Sequence, residues 1–301
     1  MKASNRKILA SIGLLGAAMI WGFSFVVVKN SLEIVPTIYM LAFRFTIAAI
    51  VLAIVFHKKL KELNKKTVIE GLILGVLLFA SYVLQTEGCK YTTAGKNAFL
   101  TTVYIIIVPF LYWIISKKRP DSYSFVAAFL ALIGVGLLSL QGGFGMNFGD
   151  FLTVLCGITF SVHLIGISHF TKKSDPILLT ILQLGFTAIF SWIGTLFAGG
   201  EMSAITFSSE LVISMIYLGI FSSAVGFLLQ TVSQKYVVPS TAALLIATES
   251  VFGVIFATIF LDEVMTRRMI VGCLILLIAI VIAETKLDFL PWRKKETKVD
   301  V

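Results

Sequence analysis

The segment LQTEGCKYTTAGKNAFL at residues 84–100 returns in altered form 145 residues later, as LQTVSQKYVVPSTAALL at residues 229–245. The two segments agree at seven of 17 aligned positions, far above chance, and the shared polar residues are not explained by common hydrophobicity. The match therefore predicts an internal repeat. The identical pairs are Leu84 and Leu229, Gln85 and Gln230, Thr86 and Thr231, Lys90 and Lys235, Tyr91 and Tyr236, Ala98 and Ala243, and Leu100 and Leu245.

The composition predicts that both copies lie in a membrane. Hydrophobic residues fill 58% of the 301 positions and charged residues only 14%, whereas soluble proteins carry roughly 45–50% and about 25%. The apolar residues form runs of roughly 18–22, the length that a helix needs to cross about 30 Å of hydrocarbon. We predict an all-α polytopic membrane protein with ten transmembrane helices, at about 8–28, 36–56, 67–86, 97–115, 123–140, 150–170, 177–198, 210–230, 240–261 and 269–285.

The basic residues predict the orientation of these helices. Of the 25 Lys and Arg residues, 19 fall in segments on the side of the N-terminus, five fall on the other side, and Arg44 lies within a span. Cytoplasmic loops carry the excess of basic residues, so we expect both termini on the inner side of a bacterial cytoplasmic membrane. Because five spans per copy is an odd number, the copies at 8–140 and 148–285 are expected to cross the membrane in opposite senses. The expected fold is therefore two inverted five-helix repeats, an architecture of secondary transporters, with a basic cytoplasmic tail at 286–301.

Four local motifs resemble a known family. The first-span segment AMIWGFSF (18–25), the second-span segment RFTIAAIVL (44–52), the fourth-span entry TTAGKNAFLTTVYIIIVPF (92–110) and the ninth-span segment LLIATESVFGVIFATIFLDE (244–263) occur in the order of the EamA-type branch of the drug/metabolite transporter superfamily. The resemblance covers about residues 8–285. Ser250 departs from the family pattern, which often has proline after the glutamate, so the usual reason for a kink in the ninth span is missing. The resemblance implies a proton- or gradient-coupled carrier, or a facilitator, for small metabolites, often an exporter.

Two ionisable residues lie deep within the predicted spans. Arg44 follows Pro36 by eight residues and Glu249 follows Pro239 by ten, which is about 12 and 15 Å along a helix. Charged groups at that depth are costly and mark functional or structural interiors. One hypothesis makes Arg44 a contact for an anionic substrate group and Glu249 a cation contact or proton site. The alternative is that each is a structural brace held by polar neighbours.

Further polar and aromatic residues occur at helical spacing within the spans. Such residues line small-molecule sites, but they also form hydrogen bonds between helices, and His163 equally fits a satisfied interior histidine. Gln85 and Gln230 are interpreted as equivalent structural residues, and Tyr82 as an interfacial anchor or packing residue. The candidates for the substrate pathway are Trp21, Ser24, Arg44, Asn97, Thr101, Tyr104, His163, Gln183 and Glu249.

Several other functional classes are disfavoured. His163 and His169 are six residues apart, off one helical face, and the absence of a His-Glu-x-x-His motif argues against a membrane-embedded metalloenzyme. The segment AGKN (94–97) lacks the upstream glycine and the Ser or Thr of a phosphate loop. The net charge of +9 is divided among short clusters between apolar runs, so a lipid bilayer and not a nucleic acid is the expected partner. The cysteines lack metal-ligand spacing, and no metal or cofactor is expected: Cys89, Cys156 and Cys273.

These observations predict a secondary transporter, preferentially an exporter. It would move a small metabolite, such as an amino acid or a related compound, across the cytoplasmic membrane by alternating access, with proton coupling left open. A channel or a non-transporting membrane sensor is the alternative, and a membrane-embedded enzyme is disfavoured. The sequence does not decide the substrate, or whether the protein is a monomer or a homodimer.

Overall fold

The computed structural model describes residues 3–92, 94–117, 119, 121–139, 146–197, 205, 208–260 and 265–286. Within these ranges the chain is helical and contains no strand, which confirms the all-α prediction. The predicted tail beyond Lys286, at residues 287–301, lies outside the described residues. The α-helices are α1 Ala3–Ser31, α2 Thr37–Val55, α3 Lys65–Tyr91, α4 Ala94–Thr101, α5 Tyr104–Ser116, α6 Ser122–Ser139, α7 Phe148–Phe170, α8 Pro176–Thr195, α9 Ser209–Ile216, α10 Gly226–Gln234, α11 Pro239–Ile246, α12 Glu249–Phe260 and α13 Arg267–Thr285.

The helices begin where the local sequence favours a start. Asn64 precedes α3, and its side chain accepts a hydrogen bond from the backbone of Thr67 at 3.0 Å. Asn147 and Asp150 form a reciprocal capping box at the start of α7, which satisfies two backbone N–H groups that the helix leaves free. Prolines occupy the first position of α8 and α11, where a missing N–H costs little.

Eight segments of the described chain are long and apolar enough to cross a membrane. A shorter apolar helix covers Ser122–Leu137, and α13 covers the tenth predicted span. The prediction of a multi-pass membrane protein is confirmed, whereas the count of ten spans stays a prediction. The eight segments are Asn5–Ser31, Thr37–Val55, Lys65–Tyr91, Asn97–Ser116, Phe148–Phe170, Pro176–Thr195, Ser209–Gln234 and Pro239–Phe260.

The fourth and ninth predicted spans are interrupted. α4 gives way to α5 at residues 102–103, and α11 gives way to α12 at residues 247–248. At each break a threonine, Thr102 or Thr248, donates its hydroxyl to the carbonyl oxygen three residues earlier, at 2.6 Å. Such bonds compete with the helical ladder, and the backbone at both breaks forms i→i−3 bonds. The two breaks are 145 residues apart, so they lie at equivalent positions of the sequence repeat.

The eighth predicted span contains a π-helical segment, Tyr217–Val225, between α9 and α10. Such segments are rare and are frequent at functional sites. The indole Nε1 of Trp21 on α1 donates to the carbonyl oxygen of Ser222 at 2.8 Å. Gly226 leaves room for the indole, because a Cβ at this position would lie 2.7 Å from Nε1. The π-helical segment and the start of α10 therefore contact α1 closely through Trp21.

Helices of the two halves pack against each other in corresponding pairs. α3 packs against α7, and in the same way α10 and the π-helical segment pack against α1. α2 packs against α8, and α6 packs against α13. The α6–α13 contact is close, since a Cβ at Gly134 would lie 2.8 Å from the carbonyl oxygen of Gly272. Each helix of one half thus packs against the helix that corresponds to its partner's counterpart in the other half. An approximate twofold relation between the halves produces this pattern.

A charged contact joins the two halves beyond the helix ends. Lys59, in the 3₁₀ turn Lys59–Glu62, places Nζ 2.6 Å from Oδ2 of Asp175, the N-cap of α8. This hydrogen bond raises the pKa of Lys59 above its ordinary value of 10.5. Burial raises the pKa of Asp175, but hydrogen bonds from Lys59 and from two backbone N–H groups outweigh burial and leave that pKa below 3.8. Both groups are therefore charged at neutral pH.

Candidate functional site

A cavity lies where the two interrupted helices face α1 and α3. Its interior volume is about 50 Å³. Its walls come from both halves of the chain, because residues on α1 to α5 and residues on α7 and from the π-helical segment to α12 line it. Both deep ionisable residues, Arg44 and Glu249, belong to the lining.

Arg44 is only 2% exposed and is held by polar groups of the protein. Its Nε donates to the hydroxyl of Ser223 at 3.0 Å, and its Nη2 donates to the hydroxyl of Ser222 at 2.9 Å. The guanidinium carbon also lies 4.9 Å from the centre of the Tyr82 ring, an attraction of roughly 0.5–2 kcal/mol. A guanidinium carries five N–H groups, so the two serines do not exhaust its donors.

Glu249 and Tyr104 meet at the helix breaks. Tyr104 is the first residue of α5 and Glu249 the first of α12, and the tyrosine Oη donates to Oε1 of the glutamate at 3.4 Å. The two residues are 145 apart, so they occupy equivalent positions of the repeat. The start of a helix carries partial positive charge and stabilises a carboxylate there. Among the described residues, Glu249 and Arg44 do not form an ion pair with each other.

Amide side chains supply unpartnered acceptors at the cavity. Asn97 donates through Nδ2 to the carbonyl oxygen of Gln85 at 3.0 Å and to the hydroxyl of Thr153 at 2.8 Å. Its Oδ1 and the Oε1 of Gln230 are buried without a hydrogen-bond partner in the described protein. Because an unsatisfied buried acceptor costs about 1–3 kcal/mol, both atoms are suited to accept hydrogen bonds from a ligand. Among the described residues, no group of three His, Cys, Asp or Glu side chains is placed to hold a metal ion.

The structure brings together seven of the nine residues that the sequence singled out. His163 and Gln183 lie elsewhere: the Nε2 of His163 is 2.8 Å from the Oε1 of Gln183, and both side chains are fully buried outside the cavity lining. A role of any of the nine in a substrate pathway stays a prediction. The seven that line the cavity are Trp21, Ser24, Arg44, Asn97, Thr101, Tyr104 and Glu249.

The sequence interpretation missed several lining residues, among them Tyr82, Gln85, Ser222, Phe227 and Gln230. Tyr82 is 6% exposed and lies beside Arg44, so it packs at the centre of the protein and does not anchor an interface. The repeat carried the signal that could have found them. Gln85 and Gln230 are identical partners at the 145-residue offset, and the aromatic residues Tyr82 and Phe227 are partners at the same offset, with ring centres 5.9 Å apart.

Comparison with known proteins identifies the family. The model of the EamA-like transporter family matches residues 8–140 and again residues 147–285, which together cover most of the chain. The chain belongs to the EamA-like transporter family. Proteins of this family are polytopic helical membrane proteins, in agreement with the helices described above.

Curated relatives support a transporter role for this EamA-like protein. An uncharacterized transporter of Archaeoglobus fulgidus is 29% identical over 281 residues, which are 93% of this chain and 87% of the relative. The uncharacterized transporter YvbV of Bacillus subtilis is 22% identical over 275 residues, which are 89% of each chain. A solved crystal structure shares the fold with a TM-score of 0.76 at 16% identity, over 92% of this chain and 98% of the other. Membership of a transporter family also favours a protein that is not an enzyme.

Proposed function

We propose that this EamA-like protein is a secondary carrier that moves a small metabolite, such as an amino acid or a related compound, by alternating access, preferentially outward. The observation that carries the proposal is the cavity itself. Arg44 and the carboxyl group of Glu249, both buried, line one space without forming an ion pair with each other. Ionisable groups in a membrane interior are costly and mark functional sites by default. A ligand with an anionic group for Arg44 and a cationic or hydrogen-bonding group for Glu249 would pair with both.

The arrangement of the halves supports alternating access. Carriers built from inverted repeats bind substrate between the repeats near the middle of the membrane. We place one repeat at 8–140 and the other at 148–285, because the helix pairs and the two helix breaks correspond at an offset of 145 residues. The excess of basic residues on the side of the N-terminus supports cytoplasmic termini in the cytoplasmic membrane.

A counterflow assay on the purified protein in liposomes tests the carrier proposal. Liposomes are loaded with one of a panel of amino acids and related zwitterions, and entry of the same labelled compound is followed. A carrier shows saturable uptake that internal substrate accelerates, because the loaded protein returns faster. A channel shows no such acceleration, and a sensor shows no flux, so either result would contradict the proposal.

Replacement of the cavity carboxylate tests its role in this assay. We expect Glu249→Gln to reduce exchange about ten-fold or more, because a hydrogen bond to a charged group is worth about 1.5–3 kcal/mol. Tyr104→Phe should cause a smaller loss in the same direction, since it removes one donor to that carboxylate. The matched control is Glu70→Gln, a buried glutamate whose carboxylate binds Ser174 away from the cavity. Full exchange by Glu249→Gln, with an unchanged pH dependence, would exclude both a substrate contact and a proton site at this residue.

A further inference from the structure

Among the described residues, the cavity lining comes closer to one end of the molecule than to the other. We call the end where α1 and α3 terminate the Lys29 end, because Lys29 donates there to the carbonyl oxygen of Cys89 at 2.9 Å. The opposite end, where α2, α7 and α10 terminate, is the Lys59 end. Val28 and Cys89, which lie in the last turns of α1 and α3, belong to the cavity lining. The last turns of α7 and α10 contribute no described residue to the lining, and on α10 the lining ends at Gln230.

The sequence repeat relates the lining of α3 to a sealed surface on α10. Gln85, Thr86 and Cys89 line the cavity on α3, and the 145-residue offset pairs them with Gln230, Thr231 and Gln234 on α10. Gln230 also lines the cavity, but the other two do not. The two positions that continue toward the Lys59 end thus lie outside the cavity in this structure, although their equally buried counterparts line it.

Three hydrogen bonds close this surface, two between side chains and one to a backbone carbonyl oxygen. Gln183 donates through Nε2 to the hydroxyl of Thr231 at 3.1 Å, and its Oε1 lies 2.8 Å from the Nε2 of His163. Because the Gln183 oxygen can only accept, the Nε2 of His163 is the protonated nitrogen. Gln234 donates through Nε2 to the carbonyl oxygen of Leu164 at 3.2 Å. These bonds join α7, α8 and α10, all of which reach the Lys59 end.

The closed surface also contains buried polar atoms without partners in the described protein. They are the Nδ1 of His163, the Oγ of Ser168, and the Oε1 atoms of Gln230 and Gln234. Gln230 and Gln234 are one turn apart on α10, and Ser168 lies one turn beyond the cavity-lining Leu164 on α7. The unpartnered atoms therefore continue from the cavity toward the Lys59 end. Buried polar groups without partners are costly, so a state in which water or substrate reaches them would satisfy them.

We propose that Gln230, Gln234, His163 and Ser168 line a second half-pathway, which leads from the cavity to the Lys59 end and is closed in this structure. We call it the latent half-pathway. Its groups are amide, imidazole and hydroxyl groups, which form hydrogen bonds. It therefore suits a small polar substrate that binds in the cavity and then passes these groups on its way to the Lys59 end. The inference rests on the proposed carrier function, because a carrier must open to this side.

Cysteine labelling from the two faces of the membrane tests the latent half-pathway. The repeat offers a matched pair of positions: Cys89, which lines the cavity near the Lys29 end, and its counterpart Gln234, which does not line it. One protein keeps Cys89 alone, with Cys156→Ser and Cys273→Ser. The other carries Gln234→Cys with all three native cysteines replaced by serine. A membrane-impermeant methanethiosulfonate reagent is applied to intact cells and to inverted membrane vesicles.

We expect the two positions to react from opposite faces of the membrane. A third protein, Leu74→Cys in the cysteine-free background, is the control for general loosening, because Leu74 is fully buried in a separate cluster with Ile167 and Leu179. The cysteine at position 234 should react at least about ten-fold faster than the one at position 74. Labelling at 234 no faster than at 74, or from the same face as Cys89, overturns the latent half-pathway whatever the counterflow assay shows. Labelling as expected without counterflow overturns the carrier proposal alone.

A second variant tests the closing hydrogen bonds. Gln183→Leu removes the bonds to His163 and Thr231, and should therefore increase the labelling rate at position 234. The loss of two hydrogen bonds, each worth roughly 1 kcal/mol net, corresponds to an increase of about thirty-fold. Ser191→Ala is the control on the same helix, because the Ser191 hydroxyl binds only within α8, to the carbonyl oxygen of Thr187. An unchanged rate in Gln183→Leu would contradict a closing role of this residue.

Discussion

At the scale of single residues, Arg44 shows what the sequence could and could not predict. An arginine eight residues into an apolar span had to face the protein interior, because a charge facing lipid costs from about 3 to over 10 kcal/mol. Its burial and its place at the cavity follow from that argument. Its partners Ser222 and Ser223 could not be predicted, because they lie almost 180 residues away and their hydroxyls resemble any other serine in a span.

The serine contacts of Arg44 predict a stability difference. Ser223→Ala leaves the guanidinium Nε without its partner, and should lower the free energy of unfolding by about 1.5–3 kcal/mol, the range for hydrogen bonds to charged groups. Ser191→Ala should change it by less than about 1 kcal/mol, because that hydroxyl binds a carbonyl of its own helix, which also accepts within the helix. Thermal unfolding of the two variants in detergent measures the difference. Equal losses would show that Arg44 finds other partners.

At the scale of helices, the positions of the spans were predictable but their internal breaks were not. Apolar length and flanking charges located the helices to within a few residues. The breaks at 102–103 and 247–248 contain neither proline nor glycine, and they depend on threonine hydroxyls that bond equally well within a continuous helix. The ninth span is interrupted although Ser250 stands where the family often has proline. Only the tertiary contacts at the centre of the molecule decide between these alternatives.

The close contact between Trp21 and Gly226, the residue after the π-helical segment, predicts that one added methyl group destabilises the protein. Gly226→Ala would place Cβ against the indole nitrogen of Trp21, so the bond from Trp21 to the Ser222 carbonyl should lengthen or break. We expect a loss of about 1–3 kcal/mol in stability, the usual cost of overpacking, together with weaker counterflow. Gly185→Ala is the control, because nothing lies within 4 Å of a Cβ at that helical position. It should stabilise the protein by up to about 1 kcal/mol, and both variants can be compared by thermal unfolding.

At the scale of the whole molecule, contacts far apart in sequence join the two halves. The repeat in the sequence predicted two related halves, and their helices pack in corresponding pairs. The Lys59–Asp175 contact, which joins the halves at the Lys59 end, was not predictable. Both residues lie in short loops, and loop charges in a sequence give no indication of their partners.

This contact predicts a pH dependence of stability. The folded-state pKa of Asp175 lies below 3.8, so its carboxylate stabilises the folded protein above that pH. The contribution is lost as the pH falls from 3.8 through the lower folded value. Asp175→Asn removes this dependence but keeps a side-chain oxygen that can cap α8. The difference in melting temperature between wild type and Asp175→Asn should therefore be largest at neutral pH and shrink in acid.

A further variant separates the cap from the charge. Asp175→Ala removes both, and should cost about 1 kcal/mol more than Asp175→Asn at every pH, because it also leaves the N–H groups of Ile177 and Leu178 without their acceptor. If the two variants were equally stable, the helix cap would contribute nothing measurable. If both kept the pH dependence of the wild type, the acid sensitivity would have its origin in another carboxylate.

The pair formed by Tyr104 and Glu249 has a consequence for the energy landscape. Two identical halves would give two conformations of equal free energy, related to each other by a twofold rotation about an axis in the membrane plane. Here one half contributes a phenol and the other a carboxylate at the same repeat position. In the proposed carrier this difference would break the degeneracy at the centre of the molecule, so the two conformations would differ in free energy and in affinity for a cationic group. A carrier with this pair would rest in one conformation, and would have a different Michaelis constant on each face of the membrane.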